Sequence, residues 1–263
     1  MKKVVSLLTI TVRSTIYKII LILIGMSALQ LGIFCHTYLK YDYSKPVLTN
    51  PENEILGNEL LGQAFGVSWT LESLVEESHI SIVFLAAFAL ISLVLFWAES
   101  ERKGTNIFCF YNRLIVTKKQ RMVSLTLYNL VCIMLLICAE VLTVLGMGEI
   151  FKYLVPAEYE SVQMYFMAFY KSEFLHCLLP LADIFKWIRN FFIFTAVAFE
   201  IAVCACRKRK SWSVFLIIVM VIFGFVQKIG TFGAMDIIMI LTAGVCIAID
   251  VYQLWLGGQE DDI

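Results

Sequence analysis

Residues 97–121 read WAESERKGTNIFCFYNRLIVTKKQR: two acids, Glu99 and Glu101, and then six bases, Arg102, Lys103, Arg113, Lys118, Lys119 and Arg121. Before this island, residues 79–98 carry no Asp, Glu, Lys or Arg. After it, residues 123–147 carry one, Glu140. An apolar run of about 20 residues is the length a helix needs to cross a hydrocarbon core of about 30 Å. The island is therefore expected to be a polar connection between two membrane-crossing helices, and the reading extends outward to the whole chain.

Of the 263 residues, 60% are hydrophobic and 16% charged, against roughly half apolar and a quarter charged in soluble domains. Runs of spanning length recur at 16–39, 79–98, 123–147, 187–206, 212–229 and 236–255. These predict an all-α polytopic membrane protein with six transmembrane helices, forming a single transmembrane domain over 1–263. Trp97, Trp187, Trp212 and Trp255 fall at span ends, where amphipathic rings sit among lipid headgroups. The fifth run is the shortest, with an apolar core from 214 to 226 and Lys228 directly after it.

Bases divide unevenly between alternate connections. One side collects Lys2, Lys3, Arg13 and Lys18, the six bases of the island, and Arg207, Lys208, Arg209 and Lys210, fourteen of the 21. On the other side, Lys40 and Lys45 lie among seven acids. Lys152, Lys171, Lys186 and Arg189 lie among five more, and Lys228 follows. The positive-inside rule puts the N-terminus, the 99–122 loop and the Arg207 run in the cytosol. Lys2 and Lys3 do not read as the start of a secretory signal. Arg13 and Lys18 interrupt the run, and no small-residue cleavage site comes before His36. Residues 1–15 are expected to form a short interfacial helix along the cytosolic surface, or else a plain extension of the first span.

Two outer segments are long. Residues 40–78 begin rich in Pro and Asn and turn partly apolar. Residues 148–186 hold too many charges for a lipid-exposed span, and predict amphipathic helices over the outer mouth. No internal repeat or low-complexity tract is present.

The chain contains no G-x-x-x-x-G-K-[ST], H-E-x-x-H, G-x-S-x-G or C-x-x-C, so an enzyme is not expected and no catalytic residue, cofactor or metal is assigned. Most of the eight Cys read as small buried hydrophobes. Cys35, His36, His79, His176 and Cys177 share the outer level; they fit unrelated interfacial residues, a Cys35–Cys177 disulfide or a soft metal site. Acids inside spans are functional candidates because burying them is costly. Glu140 lies well into the third span from the cytosolic side. Glu200 and Asp250 lie near the inner ends of the fourth and sixth, more than ~10 Å from Glu140 in depth.

The N-terminal helix, six spans and the loop ESERKGTNIFCFYNRLIVTKKQR together resemble the membrane subunits of ATP-binding-cassette exporters of the type-two permease family. The family's loop after the second span begins with an acid, a base and Gly-Thr, continues through a Leu-containing short helix, and ends in Thr or Ser with bases. Glu101, Arg102, Gly104, Thr105, Leu114, Thr117 and Lys118 stand in those places. The outer segment between the third and fourth spans is longer than the family's, and the connection between the fifth and sixth shorter. The resemblance implies that residues 99–122 form a cytosolic coupling loop docking on a separate ABC ATPase subunit through Glu101, Arg102, Lys103, Gly104, Thr105, Arg113 and Lys118. ATP and Mg would sit on that partner. It further implies a second permease subunit, identical or not, a bacterial cytoplasmic membrane, and no nucleic acid among the partners. Two other readings stay open: an ion-coupled secondary transporter using Glu140 and Glu200, and a non-transporting membrane sensor or assembly protein.

Overall fold

A computed structural model of the chain describes residues 2–40, 70–102, 118–154, 163–181, 183–207 and 233–257. Among the described residues there are helices and no strand: α1 Lys2–Lys40, α2 Leu71–Glu77, α3 Ile80–Arg102, α4 Lys118–Leu154, α5 Met164–Lys171, α6 Glu173–Leu178, α7 Ile184–Arg207 and α8 Ala234–Gly257. Five of them contain stretches long and apolar enough to cross a membrane, at Thr15–Leu39, Ile80–Trp97, Lys119–Leu154, Ile184–Cys204 and Ala234–Tyr252. The chain is an all-α, multi-pass membrane protein. The span expected at 212–229 lies outside the described residues, as do 103–117 of the island and 41–69 of the first outer segment.

Two helices are longer than the sequence reading made them. α1 runs unbroken from Lys2 to Lys40, so residues 2–15 are continuous with the helix of the first span. Nothing in the sequence breaks that helix: neither Pro nor Gly occurs before Gly25, and extending an existing helix adds one hydrogen bond per residue fixed. α4 likewise covers Lys118–Leu154, and Pro156 is the first breaker after it. At about 1.5 Å per residue both exceed the hydrocarbon core by roughly 25 Å.

Hydrogen bonds between helices fix their directions. Thr15 meets Tyr128, Gln30 meets Glu140, and the Tyr38 hydroxyl donates to the Leu154 carbonyl. The positions rise together, so α1 and α4 are parallel. Asn129 donates to the Ala198 carbonyl, and Met122 and Leu125 pack with Ala202 and Val203; α4 and α7 are antiparallel. Arg189 reaches Asp236 near the start of α7 and α8, and Cys246 lies within electrostatic reach of Glu200, which makes those two helices parallel. Arg207 and Ala234 are therefore at opposite ends of the bundle. One end carries Lys2, Arg102, Lys118 and Arg207, and is called the basic end.

α7 is the most enclosed span. Ala196, Ala198 and Ala202 are 0% exposed, and such small residues let helices approach closely where lipid removes the hydrophobic drive between them. α1 and α8 instead present Leu21, Ile24 and Leu29, and Ile238, Leu241 and Val245, on the outside.

The end opposite the basic one is covered by α2, α5 and α6. Leu71, Leu74, Val75, Ala168, Leu175 and Leu178 join Phe34, Phe84, Met147 and Phe151 in one buried cluster. α2 belongs to the 40–78 segment and α5 and α6 to 148–186, and their buried apolar residues pack on α1, α3 and α4. His79 separates α2 from α3 with φ 47°, a left-handed conformation that breaks the helical run at one residue. Its amide donates to the Glu76 carbonyl, and its own carbonyl accepts the first bond of α3 from Ile82.

Candidate functional site

Among the described residues, three groups of polar side chains stand out inside the bundle, at two depths, besides the Thr15–Tyr128 and Asn129–Ala198 contacts. The first lies between α1 and α4. Gln30 and Glu140 are both 0% exposed, and the Gln30 amide donates to Glu140 Oε2 at 2.8 Å and to the Ile80 carbonyl at 3.2 Å. One turn away on each helix, Thr143 Oγ1 stands 2.8 Å from Ser27 Oγ and 2.8 Å from the Ala139 carbonyl. Side chains three apart on a helix share a face, so Ser27 with Gln30, and Glu140 with Thr143, make a continuous polar seam. The start of α3 closes it.

The second group ties α6, α7 and α8 together. Arg189 is 1% exposed, and its Nη1 donates to Asp236 Oδ1 at 2.5 Å. The rest of its fork reaches Asn190 Oδ1 and the Cys177 carbonyl. Asn190 Nδ2 donates to the carbonyls of Cys177 and Leu178, satisfying acceptors that the C-terminus of α6 leaves open. Asp236 Oδ2 accepts the Gly233 amide at 2.9 Å, the backward reach of a third-position carboxylate that caps a helix start. Beside this group, burial and then the neighbouring Lys186 cation hold His176 below its ordinary range, with Asp183 opposing. Burial pushes the Cys177 thiol up against the pull of Arg189 and Lys186.

The third group is nearer the basic end. Glu200 is 1% and Asp250 7% exposed, and both act electrostatically on Cys246. Because Asn129 marks the level of Ala198, Glu140 stands roughly 20 Å along the bundle from Glu200. Glu200 and Asp250 share a neighbourhood, and Glu140 belongs to another.

The residues expected in the loop are placed differently. Glu101 and Arg102 close α3 and Lys118 opens α4. Lys103, Gly104, Thr105 and Arg113 lie outside the described residues. Cys35 and Cys177 are not joined in a disulfide, and among the described residues no three His, Cys, Asp or Glu side chains are grouped to hold a metal ion. Sequence reasoning missed Gln30, Arg189, Asn190 and Asp236. An uncharged amide in the middle of an apolar run was the signal for Gln30. Arg189 and Asp236 read in the sequence only as charges at the edges of the 187–206 and 236–255 runs, and each stands within a turn or so of a helix start.

Together these features define a polytopic helical membrane protein with buried polar contacts between its spans. The chain matches no protein-family model, no curated protein and no solved structure.

Proposed function

We propose that the chain is the membrane-spanning permease subunit of an ABC-type exporter in a bacterial cytoplasmic membrane, with the basic end in the cytosol. The observation that carries the reading is the island between α3 and α4. Its sequence holds the acid, base, Gly-Thr and terminal Thr-Lys of a coupling loop, and the helices that bracket it, α3 and α4, are antiparallel neighbours ending at Arg102 and beginning at Lys118. α3 and α4 carry the two ends of that connection. A push on it from a partner is passed into α3 and α4.

In this mechanism the partner ATPase binds ATP and Mg, and its closure is transmitted through residues 99–122 to the spans, which open alternately to either side. A second permease subunit completes the pathway. The charges of the loop set register and partner choice, the usual contribution of polar groups at an interface.

Reversing Arg102 and Lys103 to Glu together tests the reading. Loss of charge pairs at an interface costs a few kcal/mol, about tenfold in affinity for each ~1.4 kcal/mol, so an ATPase subunit encoded beside this chain should co-purify at least tenfold less well. Reversal of Lys40 and Lys45, at the other end of the first span, is the control and should leave association unchanged. Equal binding and ATP hydrolysis with the intact loop, the reversed loop and a deletion of 104–117 would remove the coupling role.

A further inference from the structure

The seam between α1 and α4 contains more acceptors than donors. Gln30 has two amide hydrogens, and the structure directs its nitrogen at the Ile80 carbonyl and at Glu140 Oε2. Gln30 Oε1 and Glu140 Oε1 are then both buried without a hydrogen-bond partner. An ionised carboxylate is an acceptor only, so it cannot satisfy the amide oxygen or itself.

Among the described residues, no cation is in place to balance a charge on Glu140. α1 has no titratable side chain between Lys18 and Cys35, and α3 has none from Ile80 to Trp97. On α4 the next carboxylate is Glu149, which is bound by Lys152 and Tyr165. Among the cap helices, Lys171 pairs with Glu72. On α7, Arg189 is held by Asp236 and Asn190, and Lys186 lies beside His176 and Cys177. A carboxylate taken out of water without a counter-ion neutralises by taking up a proton.

We propose that Glu140 is a proton-binding site, occupied while α1, α3 and α4 are packed around it. The proton adds the O–H donor that the seam lacks and removes the charge. Its release leaves an unbalanced carboxylate between three helices, so the packed seam and the bound proton stabilise each other. A hard metal cation is the weaker fit, because such ions take about six oxygens and the seam leaves two without partners. The inference concerns the chain by itself and stands apart from the exporter reading.

The test uses the full chain purified into lipid nanodiscs and followed by infrared difference spectroscopy through a pH titration. A protonated-carboxyl carbonyl band should be present at neutral pH, disappear at alkaline pH, and be missing in Glu140→Gln. The substituted amide still offers Gln30 an acceptor, which preserves the contact. Should Glu140→Gln fail to fold, Glu140→Asp should shift the same band. Exchanging sodium for choline should leave the titration midpoint in place. Two results overturn the proposal: a neutral-pH band that neither substitution changes, which means Glu140 is ionised, or a midpoint that moves by about one pH unit per tenfold sodium, which assigns the site to a metal cation.

Discussion

Replacing Asp236 by Asn removes one charge from the Arg189–Asp236 pair and keeps its shape. The carbonyl oxygen of the substituted side chain can still accept the Gly233 amide, so the α8 cap survives, and the guanidinium keeps Asn190 and the Cys177 carbonyl. What is lost is the counter-charge of an arginine 1% exposed. Breaking a buried pair from one side costs about 3–5 kcal/mol, because the remaining charge is left in a low-dielectric site. Arg189→Met, leaving Asp236 charged, should cost a similar amount. The double variant leaves no stranded charge and should lose about 2 kcal/mol or less, well short of the sum of the single losses. The measurement is the labelling rate of Cys177, a buried thiol in no disulfide whose carbonyl both Arg189 and Asn190 hold. In mixed micelles of fixed composition the opening equilibrium should rise by about two to four orders of magnitude in each single variant and fall back in the double one. Additive losses, or an Asp236→Asn rate within about threefold of wild type, would refute the argument.

Two further outcomes follow from the cap. Gly148→Ala would place a Cβ against Tyr165 Cε1, well inside van der Waals contact, so the ring must move away from its position beside Glu149; thermal unfolding should show a loss of about 1–3 kcal/mol, typical of overpacking, and an unchanged midpoint would count against the packing described. His176 is held below its ordinary value of about 6.5. The unfolded chain therefore takes up a proton that the folded chain refuses, and stability falls as pH drops from about 6.5 toward the lowered folded value. His176→Gln should flatten that slope in pH-dependent unfolding, and equal slopes in the two proteins would show that His176 is not its source.

The apolar runs were legible because a hydrocarbon core of fixed thickness imposes a minimum length on any helix that crosses it. Their ends were not. The bilayer dictates where apolar residues stop, whereas a helix stops where its backbone meets a breaker, and the chain from Lys2 up to Gly25 offers none. The cost of burying Glu140 was readable from its type and setting alone. Its partner was not, since Gln30 lies 110 positions away and only the parallel packing of α1 on α4 brings them together. Arg189 shows the same limit from the other side: in the sequence it is one more base near a span edge, and the fold turns it into the largest fully buried side chain described. The chemistry of the 103–117 island rests on sequence alone.

α1 is a single rod of 39 residues, about 58 Å from end to end. A helix resists compression and bending far better than it resists being tipped, and the middle of this one turns Leu21 and Ile24 outward while Ile19 and Met26 are buried against the bundle. Its firm attachments, Thr15 on Tyr128 and Gln30 on Glu140, lie to either side of that midpoint. A tilt of about 10° about the centre carries each tip sideways by about 5 Å, in opposite directions. Were such a rod to tip as a unit, its Lys2 and Lys40 ends would move in opposite directions without any residue between them changing its backbone angles.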